Sequence, residues 1–348
     1  MKIQKFLDEA TSDKLTGVVV YISTPKRGEW IGVSGYSNLK DKIPMQKDDI
    51  FSMGSVGKMY NAVAVMKLVQ EGRIKLDDKI SNYLPKEIID NIPKAKDVTL
   101  KNLLGHTSGF INYEHNSELN SLYLTGRLKL DTLSRYEVLK KYVFGKASLF
   151  NPGAKYDYCS TNYLLLAMIV DKIVPEGHSD YLRKLIAEHG FAKTYYLQTP
   201  KHKNVSYYGD LDKDGIVEDL TNQTFETTNW LTGDDGVYAP IEEAAHFLQS
   251  LMKGKILNQQ SLKEMMTWNN DKKPDYGLGL MADKSFPYRF LLGHSGRGIG
   301  TTTDLYYFPK QDITVAIFCN NGLRAAAPTF KKEYNKMRAK IVKKLFLF

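Results

Sequence analysis

Two groups of β-rich runs, one near each end of the chain and separated by a long helix-rich middle, restrict the possible folds more than any other feature of this sequence. Near the N-terminus, Gly17 to Ile22 and Trp30 to Gly35 flank the turn Pro25-Lys26-Arg27-Gly28 and read as an antiparallel hairpin. Beyond a helix running from Glu242 to Met252 come four more runs, Tyr276 to Met281, Tyr288 to Leu292, Thr301 to Phe308 and Ile313 to Phe318. The stretch between, 73 to 235, is mostly helix and loop, with punctuated helices at Arg135 to Val143 and Thr161 to Ile173. Strands need partners for their backbone groups, so the two ends are expected to meet in one sheet. This predicts an α/β (α+β) fold with an antiparallel sheet of about five strands flanked by helices. Residues 1–72 plus 242–348 would form the sheet domain and 73–241 an inserted, mostly helical one, with the active site at their interface.

The helix expected over Lys58 to Glu71 is apolar nearly all round and stops at Gly72, so it should be central and buried. A chain of 348 residues can bury such a core without disulfides, and its two cysteines, Cys159 and Cys319, sit singly in apolar stretches. The formal charge of +9 raises the question of an anionic partner. The lysines are scattered, however, and their one concentration, 331 to 344, carries Met337, Ile341 and Leu345 at spacings of four. That segment reads as a closing amphipathic helix with a basic solvated face, and no nucleic-acid partner is predicted. No run approaches the ~18 apolar residues of a membrane span, and the N-terminus lacks a signal-peptide core.

Asp210-Leu211-Asp212-Lys213-Asp214-Gly215 has the opening spacing of a calcium loop. The twelfth position, where such loops place a bidentate Glu, is Thr221. The segment is therefore read as a charged hairpin tip between 205–208 and 216–217.

Ser55-Val56-Gly57-Lys58 puts a hydroxyl and an ammonium three residues apart, on one face of a helix. A serine hydroxyl needs a neighbouring base before it becomes a nucleophile, and a buried lysine can serve or assist one. Lys58 also opens an almost wholly apolar helix, where an unpaired charge would be costly. The Gly57-Lys58 pair is no P-loop, because Ser52 and Met59 stand where glycine and Ser/Thr are required. Met53 stands where a nucleophile elbow needs glycine, and the histidines lack metalloprotease spacing. No metal or cofactor is predicted for catalysis.

Beyond this pair the chain resembles the serine β-lactamase-like superfamily, which includes penicillin-binding proteins, D-alanyl-D-alanine carboxypeptidases, class C β-lactamases, D-aminopeptidases and family VIII esterases. The likeness runs through 51–58, 68–85, Leu103-Leu104-Gly105-His106-Thr107-Ser108-Gly109, 152–163, 233–238 and Gly293-His294-Ser295-Gly296. It implies a β-lactamase/transpeptidase-like fold. It also implies Ser55 as nucleophile, Lys58 as its partner and Tyr158 as the proton-shuttling tyrosine, with the choice of base between Lys58 and Tyr158 open. Ser160 stands where the family usually has a substrate-binding asparagine, with Asn162 a nearby substitute. His294 and Gly296 would line the substrate strand, the glycine making room for substrate. The backbone N–H groups of Ser55 and Arg297 would form the oxyanion hole, and the Arg297 side chain could attract a substrate carboxylate. His106 reads as a turn-forming residue.

By this resemblance the protein is a serine hydrolase acting on a small-molecule or peptide substrate, peptidoglycan-derived peptides among them. D-Alanyl-D-alanine carboxypeptidase or D-aminopeptidase activity is expected first, and carboxylic esterase or weak β-lactamase activity second. A non-catalytic peptidoglycan- or partner-binding protein is the alternative of another class. The family's usual setting is periplasmic or extracellular.

Overall fold

The computed structural model describes residues 2–124, 133–197, 205–228, 233–269, 275–283, 290–323 and 328–346. Its strands, in chain order, are β1 (Gly17–Thr24), β2 (Gly28–Asn38), β3 (Ile43–Pro44), β4 (Phe51–Ser52), β5 (Tyr195–Tyr196), β6 (Tyr208–Gly209), β7 (Glu218–Asp219), β8 (Val237–Ala239), β9 (Met281–Asp283), β10 (Leu291–Arg297), β11 (Thr302–Phe308) and β12 (Ile313–Cys319).

The ends of the chain do meet. One antiparallel sheet runs β3-β2-β1-β12-β11-β10-β9, and the joint is the pairing of β1 with β12, Val18 opposite Cys319 through Ser23 opposite Thr314. Five of its seven strands are long, and short β3 and β9 close the edges. The β1–β2 turn falls where expected, with Gly28 at φ +65°. Two expectations shift. The run Tyr276 to Met281 makes only a bridge between those two residues, because Gly279 turns the chain at φ +82°. Strand β9 begins at Met281. Part of the run Tyr288 to Leu292 lies outside the described residues, and β10 begins at Leu291.

Each face of the sheet is covered by helix. On one side the first helix, Lys2–Asp13, and the last, Pro328–Phe346, bury Leu7, Tyr334, Met337 and Ile341 against Val18, Val20 and Ile317. The basic stretch thus does present an apolar stripe inward. Each such side chain removed from water contributes about 1.5–3 kcal/mol. On the other side lies the helix Gly57–Gln70, with eleven of its fourteen residues buried, as its all-round apolar pattern requires. The middle of the chain supplies further helices, among them Arg135–Tyr142, begun by a Ser134/Glu137 capping box, and Ser160–Ile173. It is not purely helical: β4, β8 and β5 form a small second sheet that ties 237–239 to 51–52. Among the described residues no helix is long and apolar enough to cross a membrane.

Candidate active site

Ser55 is the middle residue of a 3₁₀ turn, Gly54–Val56, that runs directly into the helix Gly57–Gln70. Gly54 takes φ +53°, a conformation glycine adopts at little cost. Side chains of β11 and the turn before it pin this segment: Thr303 Oγ1 donates to Met53 O at 2.7 Å and Thr301 Oγ1 to Ser52 O at 3.0 Å. Because the turn is tied to the sheet from below, Ser55 sits on a rigid support.

The close fit extends to the neighbouring strand and gives Gly296 a packing reason beside the one expected for it. A Cβ there would lie 2.2 Å from Met53 O and 2.5 Å from Thr303 Oγ1. The glycine makes room for the nucleophile turn. A Cβ on Gly54 would in turn lie 3.4 Å from Arg297 N. Strand β10 therefore abuts the turn that carries Ser55, as a two-donor oxyanion hole requires.

One helical turn beyond Ser55, Lys58 has no exposed surface. Its Nζ donates to Ser55 Oγ at 3.3 Å, to the backbone O of Asp234 at 3.2 Å and to Asp234 Oδ2 at 3.4 Å. Asp234 Oδ2 also accepts from the Tyr113 hydroxyl at 3.1 Å. Burial by itself would lower the Lys58 pKa, but the Asp234 charge, aided by Tyr158, outweighs it and raises the pKa above the ordinary lysine value. The ammonium is held charged. Gly57 permits this pairing, since a Cβ there would lie 3.0 Å from Asp235 Cα, in the segment that delivers Asp234.

Tyr158 faces the same pair. Lys58 Nζ lies 5.2 Å from its ring centroid. The phenolic oxygen is buried and has no partner within strict hydrogen-bond geometry among the described residues. Burial raises its pKa above the ordinary tyrosine value, and the charge of Lys58 and the hydroxyl of Ser55 offset that rise only in part. The second motif is stapled to the turn at 106–109: Asp157 N donates to His106 O at 2.9 Å, and Cys159 N to His106 Nδ1 at 3.1 Å. His106 itself turns the chain at φ +55°. It also stacks on Tyr158, ring centroids 4.4 Å apart, so this turn residue positions the tyrosine.

The structure places the other expected residues less simply. Ser160 is fully buried, and its hydroxyl has no hydrogen-bond partner among the described residues; burial raises the pKa of the nearby Asp234, and the charge of Lys58 opposes that rise. Asn162 does not substitute for the missing asparagine, because its Oδ1 accepts from Ser108 Oγ at 2.7 Å in the interior. His294 has no exposed surface: Nε2 accepts from the Tyr276 hydroxyl at 3.0 Å and Nδ1 donates to the backbone O of Ser295 at 2.8 Å. Half-buried Ser295 is the more accessible residue of that motif.

The Arg297 side chain is corrected outright. It points away from the site, with Nη2 at 2.5 Å from Asp304 Oδ1 and Nη1 on the backbone oxygens of Gly296 and Thr303. Buried Asp304 is further held by Tyr334 and Arg338 of the last helix. Burial disfavours its charge, but the two arginines hold its pKa below the ordinary carboxylate value. No guanidinium of Arg297 is free for a substrate carboxylate. Its backbone remains at the nucleophile turn.

Sequence reasoning passed over Asp234, Tyr113 and Tyr276. Two adjacent aspartates between Gly233 and Gly236 were the available signal for the first. Tyrosines 113 and 276 gave none, among 22 of their kind.

The buried imidazoles also carry a pH expectation. Burial lowers the pKa of His178 and of His294 to about 3, and that of His106 well below its ordinary value. Unfolded histidines protonate near pH 6.5, so the stability of the neutral, folded state is fully present above that pH and is lost below it. Three such groups, at about 1.4 kcal/mol per pH unit each, give a slope of about 4 kcal/mol per unit. Urea unfolding at pH 7 and pH 5 should differ accordingly, and equal midpoints would contradict this protonation scheme.

Comparisons with known proteins bear on the family and the fold. The family model described as Beta-lactamase matches residues 3–335. Penicillin-binding protein 4* of Bacillus subtilis is 24% identical over 311 residues, covering 82% of this chain and 64% of that protein. The chain thus spans less than two thirds of that relative. Among solved structures, the D-amino acid amidase of Ochrobactrum anthropi SV3, complexed with L-phenylalanine, aligns with a TM-score of 0.82 at 21% identity, covering 99% of this chain and 98% of that one. A D-stereospecific amidohydrolase from Streptomyces sp. aligns at 0.80 and 23%, covering 96% and 97%. Family match, sheet topology and motif order converge: the chain belongs to the β-lactamase family.

Proposed function

We propose that this protein hydrolyses small amides of D-amino acids, D-alanyl-D-alanine peptides included, through an acyl-enzyme on Ser55. The observation that carries the reading is the placement of Lys58 between Ser55 Oγ and the carboxylate of Asp234. A lysine so paired stays protonated and serves as a fixed positive charge; the group assigned to take the serine proton is Tyr158 in its phenolate form, which that charge stabilises. Ser55 Oγ attacks the amide carbonyl, its proton passing to Tyr158, and the tetrahedral oxyanion is held by the backbone N–H groups of Ser55 and Arg297. Tyr158 returns the proton to the leaving amine as the C–N bond breaks. Water, deprotonated by the same tyrosine, then releases the acid.

The D-configured amide is favoured by the named activities of the structural relatives, the amidase and the amidohydrolase. A carboxylic ester is the second reading, and Ser160 supports it. Its short, fully buried hydroxyl leaves a substrate amide without the donor that the family's asparagine supplies.

The test compares D-alaninamide, a D-Ala-D-Ala peptide and a 4-nitrophenyl ester. Turnover of the D-amide or peptide, with at least tenfold preference over the L-amide, is expected. Turnover of the ester alone transfers the assignment to an esterase. No turnover together with no covalent adduct from a fluorophosphonate or penicillin probe leaves a non-catalytic binder.

A further inference from the structure

The hairpin β6–β7 leads into a loop that the catalytic site does not use. Between residues 210 and 219 this basic chain places five acidic residues against one lysine. The loop brings one carboxylate oxygen from each of Asp210, Asp212 and Asp214 within 4.8 Å of one another. Asp212 and Asp214 are exposed, but Asp210 is fully buried. Its Oδ2 accepts from the Gly215 N–H across the loop at 3.1 Å, which turns the carboxylate inward. Its Oδ1 is buried with no hydrogen-bond partner among the described residues. A buried, unpartnered carboxylate oxygen beside two further carboxylates is costly unless a cation completes it.

We propose that residues 210–218 form a calcium site, with Asp210 Oδ1 as its buried ligand and Asp212 and Asp214 as the exposed ones. Hard oxygen donors at alternate positions, with glycine at the sixth, are what this ion requires. The seventh position, Ile216, would offer its backbone carbonyl and the ninth is Glu218, whose Oε2 already reaches into the loop to accept from Leu211 N at 2.7 Å. Thr221 at the twelfth position offers no bidentate carboxylate: its hydroxyl donates to Asp219 Oδ1 and accepts from Tyr207 N. A site short of that ligand binds in the range of about 10⁻⁴–10⁻³ M used by extracellular modules.

The site has a structural consequence. Leu211, between two of the ligands, packs with Leu220 on Ile299, in the turn that follows Arg297. Gly322 N donates to Tyr208 O and Tyr208 N to Asn320 O, which bind the hairpin to the end of β12. Calcium therefore clamps the loop onto the turn beside the proposed oxyanion donor.

The experiment uses the full chain freed of metal by chelation. Terbium, a calcium-sized probe ion, should show luminescence sensitised by Tyr207 and Tyr208 that calcium displaces. Adding 10 mM CaCl₂ should raise Tm by about 2–5 °C. The double variant Asp212→Ala/Asp214→Ala should lose both responses. The proposal is overturned if calcium fails to displace terbium from the wild type, if the double variant keeps the Tm rise, or if magnesium produces an equal one. The terbium competition on the wild type stands even if the double variant does not fold, and none of these readouts depends on the substrate.

Discussion

Ser55→Ala is expected to lower kcat by on the order of 10⁵–10⁶-fold. Ser55 Oγ accepts a hydrogen bond from Lys58 at 3.3 Å, and the turn that carries it is pinned through the backbone oxygens of Ser52 and Met53, which alanine at 55 leaves unchanged. Tm should therefore stay within about 2 °C of the parent, since a single part-buried hydrogen bond contributes about 1 kcal/mol and Lys58 keeps its bonds to Asp234. Intact-mass measurement should show one fluorophosphonate adduct on the parent and none on the variant. An adduct that persists on the variant, or kcat within a hundredfold of the parent, would place the nucleophile elsewhere. Such a loss with unchanged stability separates a residue that reacts from one that merely packs.

Replacing Asp234 should produce the opposite signature, a loss of stability as well as of activity. The side chains of Lys58 and Asp234 are 0% and 3% exposed, so removing the carboxylate in Asp234→Ala leaves a buried ammonium without its counter-charge. Breaking one partner of such a pair costs about 3–5 kcal/mol. The destabilisation should read directly in the urea midpoint at pH 7. Asp234→Asn keeps the shape and a contact for Tyr113 but not the charge, and should recover part of the stability while leaving acylation slow. The discriminating readout is the pH–rate profile. With Asp234 present, Lys58 stays charged through neutrality. In Asp234→Asn it becomes titratable and a new limb should enter the profile. A variant as stable as the parent, with an unchanged profile, would remove Asp234 from the machinery.

These two experiments test different layers of the same site. The first concerns chemistry that local geometry makes possible, the second a charge balance that the fold supplies from 176 residues away. The calcium loop is separate from both and can fail without affecting either.

Much of this was legible in the residues themselves. The pairing of Ser55 with Lys58 follows from helical periodicity, because three residues bring two side chains to one face regardless of what surrounds them. The burial of the helix Gly57–Gln70 follows from its all-round apolar pattern, and the meeting of β1 with β12 from the need of each β-run for a partner. These are short-range or compositional constraints, and sequence states them directly. The direction of Arg297, the reason for Gly296 and the counter-ion of Lys58 were of another kind. Arg297 stands one residue after a substrate-strand motif, yet the buried carboxylate of Asp304 on the neighbouring strand captures its side chain. Gly296 is needed because the carbonyl of Met53 comes within van der Waals range from a distant turn. Asp234 reaches Lys58 because glycine at 57 lets a remote loop approach the helix. The last two are contacts between segments far apart in the chain and the first is a cross-strand pair; all three are settled by which backbone can approach which. Sequence alone determined the family and the fold class, and it singled out Ser55 as the candidate nucleophile. Only the tertiary structure decided the charge state of the site, because that depends on burial and on opposite charges brought within 4 Å.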